Sequence, residues 1–113
     1  MKEAELKKAV ADYLTLGMNQ GKWYFDRLNS GRTLAVYNGA QRMINMCRPG
    51  TADFMVFAKN GLRIEGCPHL LFLELKGDKG RQSAEQKDFA NQVERHGAEY
   101  HLIKSLDELM MIL

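Results

Sequence analysis

Leu6, Val10, Tyr13 and Leu14 recur at the three-to-four spacing of one helix face, with lysines filling the other side. This spacing predicts an amphipathic helix over 2–16, with Gly17 as its stop. Glu3 falls on the same inward stripe, one turn before Leu6 and two before Val10. Residues 23–28 read as a strand, Asn29-Ser30-Gly31 as a turn, and 33–37 as a returning strand before an Asn38-Gly39 break. Gly, Asn and Arg are frequent between 22 and 46, so a mobile loop competes with that reading.

Further along, Arg48-Pro49-Gly50-Thr51 has turn chemistry, 53–58 reads as a strand, Lys59-Asn60-Gly61 as a tight turn and 70–76 as another strand. The unbroken apolar run Leu70-Leu71-Phe72-Leu73 is expected of a central strand covered on both faces. The chain breaks at 77–80. Ser83-Ala84-Glu85-Gln86 then fits a capping box opening a helix over 84–97, with Gly97 at its end. Residues 100–103 read as a final strand, and Ser105-Leu106-Asp107-Glu108 as a second capping box opening a short helix. The predicted order is helix, two or three strands, helix, strand, helix. At 113 residues this is one α/β domain, within the roughly 100–150 residues typical of a domain.

Composition narrows the class. The longest apolar run is far short of the roughly 18 residues of a membrane span, and Met1-Lys2-Glu3-Ala4-Glu5 lacks the apolar stretch of a secretory signal, so a cytoplasmic protein is expected. Cys47 and Cys67 have no Cys or His partner at zinc-finger spacing and read as two free thiols. The formal net charge of +2 is unevenly spread: residues 22–63 hold seven bases against two acids, the rest nine against twelve. A locally basic stretch suits a nucleic-acid backbone or another polyanion, although solvated surface accounts for most such stretches.

Candidate chemistry centres on Glu74-Leu75-Lys76. On a strand the carboxylate and the ammonium emerge on one face and Leu75 on the other, leaving its backbone carbonyl at the strand edge. An acid-x-lysine triplet is common by chance; its context is what gives it weight. Here it ends an apolar run, where charges are costly to desolvate, and Asp53 opens the preceding strand after a Pro-Gly turn. If the two strands are neighbours, Asp53 and Glu74 converge. Two carboxylates and the Leu75 carbonyl make an all-oxygen site that suits Mg²⁺ or Mn²⁺. Lys76 would then orient an attacking water and offset charge on a phosphoryl group. The competing reading is a surface ion pair with Asp53 as a turn residue. Gln86, one turn before Phe89 on the apolar stripe of its helix, faces the sheet or simply completes the capping box. Glu3 either joins the site or favours its helix N-terminus, and Glu5 is its fallback because helix register is open.

Taken together, these residues resemble the VRR-NUC (virus-type replication-repair nuclease) domain of the PD-(D/E)XK superfamily. The resemblance runs from Glu3 through Arg48-Pro49-Gly50-Thr51-Ala52-Asp53, Phe72-Leu73-Glu74-Leu75-Lys76 and the 80–86 run to Ser105-Leu106-Asp107-Glu108. Ala52 stands where family members usually have Pro. The resemblance implies a restriction-endonuclease-like core, a mixed central β-sheet flanked by helices, with Asp53, Glu74 and Lys76 catalytic and Gln86 and Glu3 supporting. It further implies a stand-alone phage-type nuclease of phage or bacterial-host cytoplasm, acting on branched or flapped DNA, such as Holliday junctions, as a homodimer. Arg42, Arg48, Lys79 and Arg81 are the candidate phosphate contacts. The alternatives are a catalytically silent nucleic-acid-binding module of the same fold and a phosphate-ligand enzyme unrelated to nucleic acid. No glycine-rich phosphate loop of the Walker or Rossmann type is present for the latter.

Overall fold

A computed structural model describes residues 1–58 and 69–113. The predicted Lys59-Asn60-Gly61 turn and Cys67 lie outside the described residues; Cys47 is a half-buried free thiol. The elements run α1 (Glu3–Asn19), β1 (Trp23–Arg27), β2 (Arg32–Tyr37), β3 (Ala40–Asn45), β4 (Phe54–Ala58), β5 (His69–Leu75), α2 (Ala84–Arg95), β6 (Glu99–Ile103) and α3 (Leu106–Ile112). Four strands form one mixed sheet in the order β1-β4-β5-β6, with β5 and β6 parallel and the other pairs antiparallel. The protein is therefore mixed α/β with a central mixed sheet flanked by helices. Among the described residues, no helix is long and apolar enough to cross a membrane.

The pleat of β5 divides the molecule into two layers. Leu71, Leu73 and Leu75 are buried in one core with Leu6, Val10 and Leu14 of α1, Phe54 and Val56 of β4, Ile103 and Leu109. Phe72 points the opposite way and meets Phe89 of α2 edge-on at 5.1 Å, while Phe89 also packs on Tyr100 of β6 at 6.1 Å. Alternating side chains thus put α1 and α3 on one face and α2 on the other. β5 lies between β4 and β6 and is covered on both sides, as its apolar run predicts.

Two sequence expectations change. Gly17 does not stop α1, which continues to Asn19 before Gly21 turns out at φ 76°. Gly17 is buried because the Trp23 ring lies on it: a Cβ there would come within 1.9 Å of the ring. The indole Nε1–H donates to the Leu14 carbonyl at 2.9 Å. The second change concerns 33–37, which does not return along β1. It is β2, and it pairs with β3 across Asn38-Gly39, both at positive φ, as a separate two-stranded sheet. A two-residue turn with both φ positive matches the twist of a hairpin, and Asn-Gly is its preferred sequence.

Candidate active site

The turn before β4 places Asp53. Thr51 closes it, donating from N–H (3.1 Å) and Oγ1 (2.7 Å) to the Arg48 carbonyl. Gly50 at φ 89° lies so near α2 that a Cβ would stand 2.4 Å from the Glu85 carbonyl. The Asp53 backbone is tied on both sides: its N–H donates to Leu73 O (2.9 Å) and its carbonyl accepts from Leu28 N–H (2.8 Å). Leu73 pairs with Phe54, so Asp53 falls opposite Glu74 at the end of adjacent strands. The Leu75 N–H donates to Asp53 Oδ2 at 2.8 Å. The sequence nominated the Leu75 carbonyl; the contact Leu75 makes with the Asp53 side chain is through its N–H.

Glu74 is the buried charged residue of the structure's described part. Its Oε1 accepts from Gln86 Nε2 at 2.8 Å and lies 3.6 Å from Lys76 Nζ. Its Oε2 is buried with no hydrogen-bond partner among the described residues. Burial first, and the neighbouring Asp53 charge second, raise the Glu74 pKa from 4.5 to about 7, against the partial relief from Lys76 and Lys7. Lys76 leaves the strand under the 77–80 loop, where a Cβ on Gly80 would sit 3.1 Å from the Lys76 side chain. Gly80 N–H closes that loop on Gly77 O at 3.0 Å.

Gln86 satisfies both readings made of it. Its Oε1 accepts from Ser83 N–H (2.9 Å) while its own N–H is capped by Ser83 Oγ (3.1 Å), completing the capping box. Its other end, Nε2, reaches Glu74. The aromatic contact of Phe72 with Phe89 makes this happen, since Glu74 lies two residues beyond Phe72 on the strand face and Gln86 one turn before Phe89 on the helix face. Nearby, Gln82 Nε2 donates to Tyr100 Oη at 3.1 Å, and burial pushes the Tyr100 hydroxyl up to about 12.

Glu3 is half-exposed and its ion-pair partner is Lys7 of the same helix, at 3.3 Å; Glu5 is exposed. Lys7 Nζ also lies 3.3 Å from Asp53 Oδ1. Burial opposes the Lys7 charge, but the carboxylates of Asp53 and Glu3 outweigh it and hold its pKa above the ordinary value. Sequence reasoning missed Lys7. The available signal was its place one turn after Glu3, at the border of the inward stripe. Of the basic candidates, Arg48 is exposed in the turn before Asp53, and Lys79 and Arg81 are exposed in the stretch after Lys76. Arg42 is exposed on β3, outside the sheet that carries the carboxylates.

A second polar cluster, also missed, sits at the other end of β5. The Glu99 carboxylate lies between His69 Nε2 and His101 Nε2, the latter at 3.4 Å. Its signal was the Glu99-x-His101 alternation, which sets two polar side chains on one strand face.

Among the described residues no group of three or more His, Cys, Asp or Glu is arranged to hold a metal ion. The side chains that meet here, Asp53 and Glu74, offer two carboxylates. This fits Mg²⁺, which is usually held by one or two carboxylates and keeps several waters. The buried, unpartnered Glu74 oxygen next to Asp53 has the environment that a hard cation satisfies. Comparison of the chain with family models, with curated proteins and with solved structures finds no match.

Proposed function

We propose that this chain is a divalent-cation-dependent DNA endonuclease with a restriction-endonuclease-like core, cutting phosphodiester bonds in branched DNA. The observation that carries the reading is a buried Glu74 with one unpartnered oxygen, beside Asp53 on the adjoining strand and Lys76 on the same strand face. Keeping a carboxylate buried without full pairing is costly for a fold, and such sites are where chemistry is found.

Asp53 and Glu74 would hold Mg²⁺ or Mn²⁺, which would supply positive charge to a phosphoryl oxygen and acidify a water. The remaining work falls to the chain. The Leu75 N–H fixes one Asp53 oxygen, so the carboxylate cannot rotate freely. Gln86 does the same for Glu74 Oε1. Lys76, held under the 77–80 loop, can orient the attacking water and offset the negative charge that grows on the phosphoryl group. Arg48, Lys79 and Arg81 border this end of the sheet and are suited to the flanking phosphates, which they would position without reading sequence.

The proposed unit is a homodimer, which places two active sites on opposed strands. Its contact is the β2–β3 hairpin. Leu34 and Met43 are cross-strand partners and Val36 shares their face, and the three are 53%, 50% and 66% exposed. A two-stranded hairpin is at best marginal alone in water, and pairing with a second copy would cover this face. Trp23, ahead of this hairpin, is buried in the core and leaves the hairpin face as an exposed apolar surface of this part of the chain.

One observation favours a second reading, the catalytically silent nucleic-acid-binding module: the Lys7 ammonium already neutralises Asp53. Labelled four-way junction, flap, nicked and linear DNA, each incubated with Mg²⁺, Mn²⁺ or chelator, separate the two. The nuclease cuts branched substrates with either ion and not with chelator. Binding to all four without cutting under any ion condition supports the silent module.

A further inference from the structure

We infer that Lys7 is a tethered counterion of this site: a divalent cation binds by displacing its ammonium from Asp53, and Glu3 retains the displaced group. The inference rests on the proposal that Asp53 and Glu74 hold the cation. Asp53 Oδ2 is engaged by the Leu75 N–H at 2.8 Å, which leaves Oδ1 as the oxygen turned to Lys7, at 3.3 Å. A cation that takes Oδ1 meets a positive charge already there, and two cations cannot share one oxygen at contact distance without strong repulsion.

The geometry provides a way out. Glu3 lies one helical turn before Lys7 and is also 3.3 Å from its Nζ, so the ammonium keeps a carboxylate partner when it leaves Asp53. A surface cleft beside α1, lined by Glu3, Lys7, Lys8, Asp12 and Arg27, gives the flexible lysine stem open space; Asp12 there is already paired with Lys8 at 3.2 Å, so Glu3 is the carboxylate left to receive the Lys7 ammonium. Lys7 is 27% exposed, so its movement needs no repacking of the core. This assigns Glu3 a positioning role exerted through Lys7, in place of direct contact with the cation.

The test is Mn²⁺ binding to the DNA-free protein by isothermal titration calorimetry, which needs no catalytic readout. Lys7→Met should bind Mn²⁺ roughly tenfold tighter than the wild type, the order that removing one nearby charge gives in a partly exposed site. Lys7→Gln serves equally if the Met variant folds poorly, and Lys7→Arg, which keeps the charge, should bind no tighter than the wild type. Glu3→Gln should weaken binding severalfold, and the double variant with Lys7→Met should bind like Lys7→Met alone. Absence of Mn²⁺ binding in both wild type and Lys7→Met, or binding untouched by Asp53→Asn, overturns the underlying assignment of the cation ligands. Binding that needs Asp53 yet is unchanged or weaker in Lys7→Met and Lys7→Gln overturns the counterion role alone. Glu3→Gln that weakens binding equally in the Lys7→Met background overturns the transfer to Glu3.

Discussion

Glu74→Gln should make the protein more stable at neutral and alkaline pH while leaving it unable to act as proposed. Glu74 is buried, its carboxyl is raised from 4.5 to about 7, and Asp53 adds repulsion when both are charged. For a carboxyl raised this way, the native state holds a proton that the unfolded chain has already lost between pH 4.5 and about 7. Stability therefore falls as pH rises through that window. The loss is complete above about pH 7 and absent below the unfolded value. At about 1.4 kcal/mol per pH unit, the full effect is about 3 kcal/mol. The amide cannot ionise, still accepts from Gln86, and is nearly isosteric. Urea unfolding followed by fluorescence of Trp23, the single tryptophan and a core residue, measures both proteins between pH 4 and 8.5. The variant should exceed the wild type by about 2–3 kcal/mol at pH 8, with the gap closing towards pH 4.5. Parallel stability curves, or a variant less stable at pH 8, would refute the claim that the fold carries a strained carboxylate.

Other outcomes follow from the same geometry. Lys76→Ala should abolish cleavage while gel-shift binding of a four-way junction stays within a few-fold of wild type; wild-type cutting rates would remove Lys76 from the mechanism. Gly50→Ala must adopt a φ near 89° and bring its Cβ to 2.4 Å from the Glu85 carbonyl. It should cost about 2 kcal/mol or more in urea unfolding, and a change below about 0.5 kcal/mol would mean that the turn and α2 are not interlocked. Val36→Asp puts a charge on the exposed hairpin face and should shift micromolar protein to monomer in sedimentation velocity, whereas an unchanged dimer would place the interface elsewhere.

Much of the fold was legible because its elements are amphipathic against one core. The α1 stripe, the 70–76 run and the Ser83 box each carry a signal tied to a burial pattern or a cap, and each stands within a few residues of its expected bounds. The hairpin was harder to read because Leu34, Val36 and Met43 face solvent, so their alternation marks no core. Asn38-Gly39 reads as a break from its composition alone, whereas its positive-φ preference marks a hairpin turn, and β3 follows from that turn. Gly17 carries an ambiguous signal: a helix stop favours glycine, and a close ring approach requires it. At the site, the position of Gln86 fits both capping and facing the sheet; an amide has an acceptor end and a donor end, and here each is used. Lys7 was invisible for want of tertiary information. Only the packing of α1 across the sheet face brings its ammonium to Asp53.

The central claim is tested most directly by cleavage of a labelled four-way junction by wild type and Asp53→Asn, each with Mn²⁺ and with EDTA. The account predicts cutting by the wild type in Mn²⁺ and none in the other three reactions. Cutting that survives EDTA or the Asp53→Asn substitution would contradict it, as would wild-type protein that binds the junction and leaves it whole in Mn²⁺ and Mg²⁺ alike.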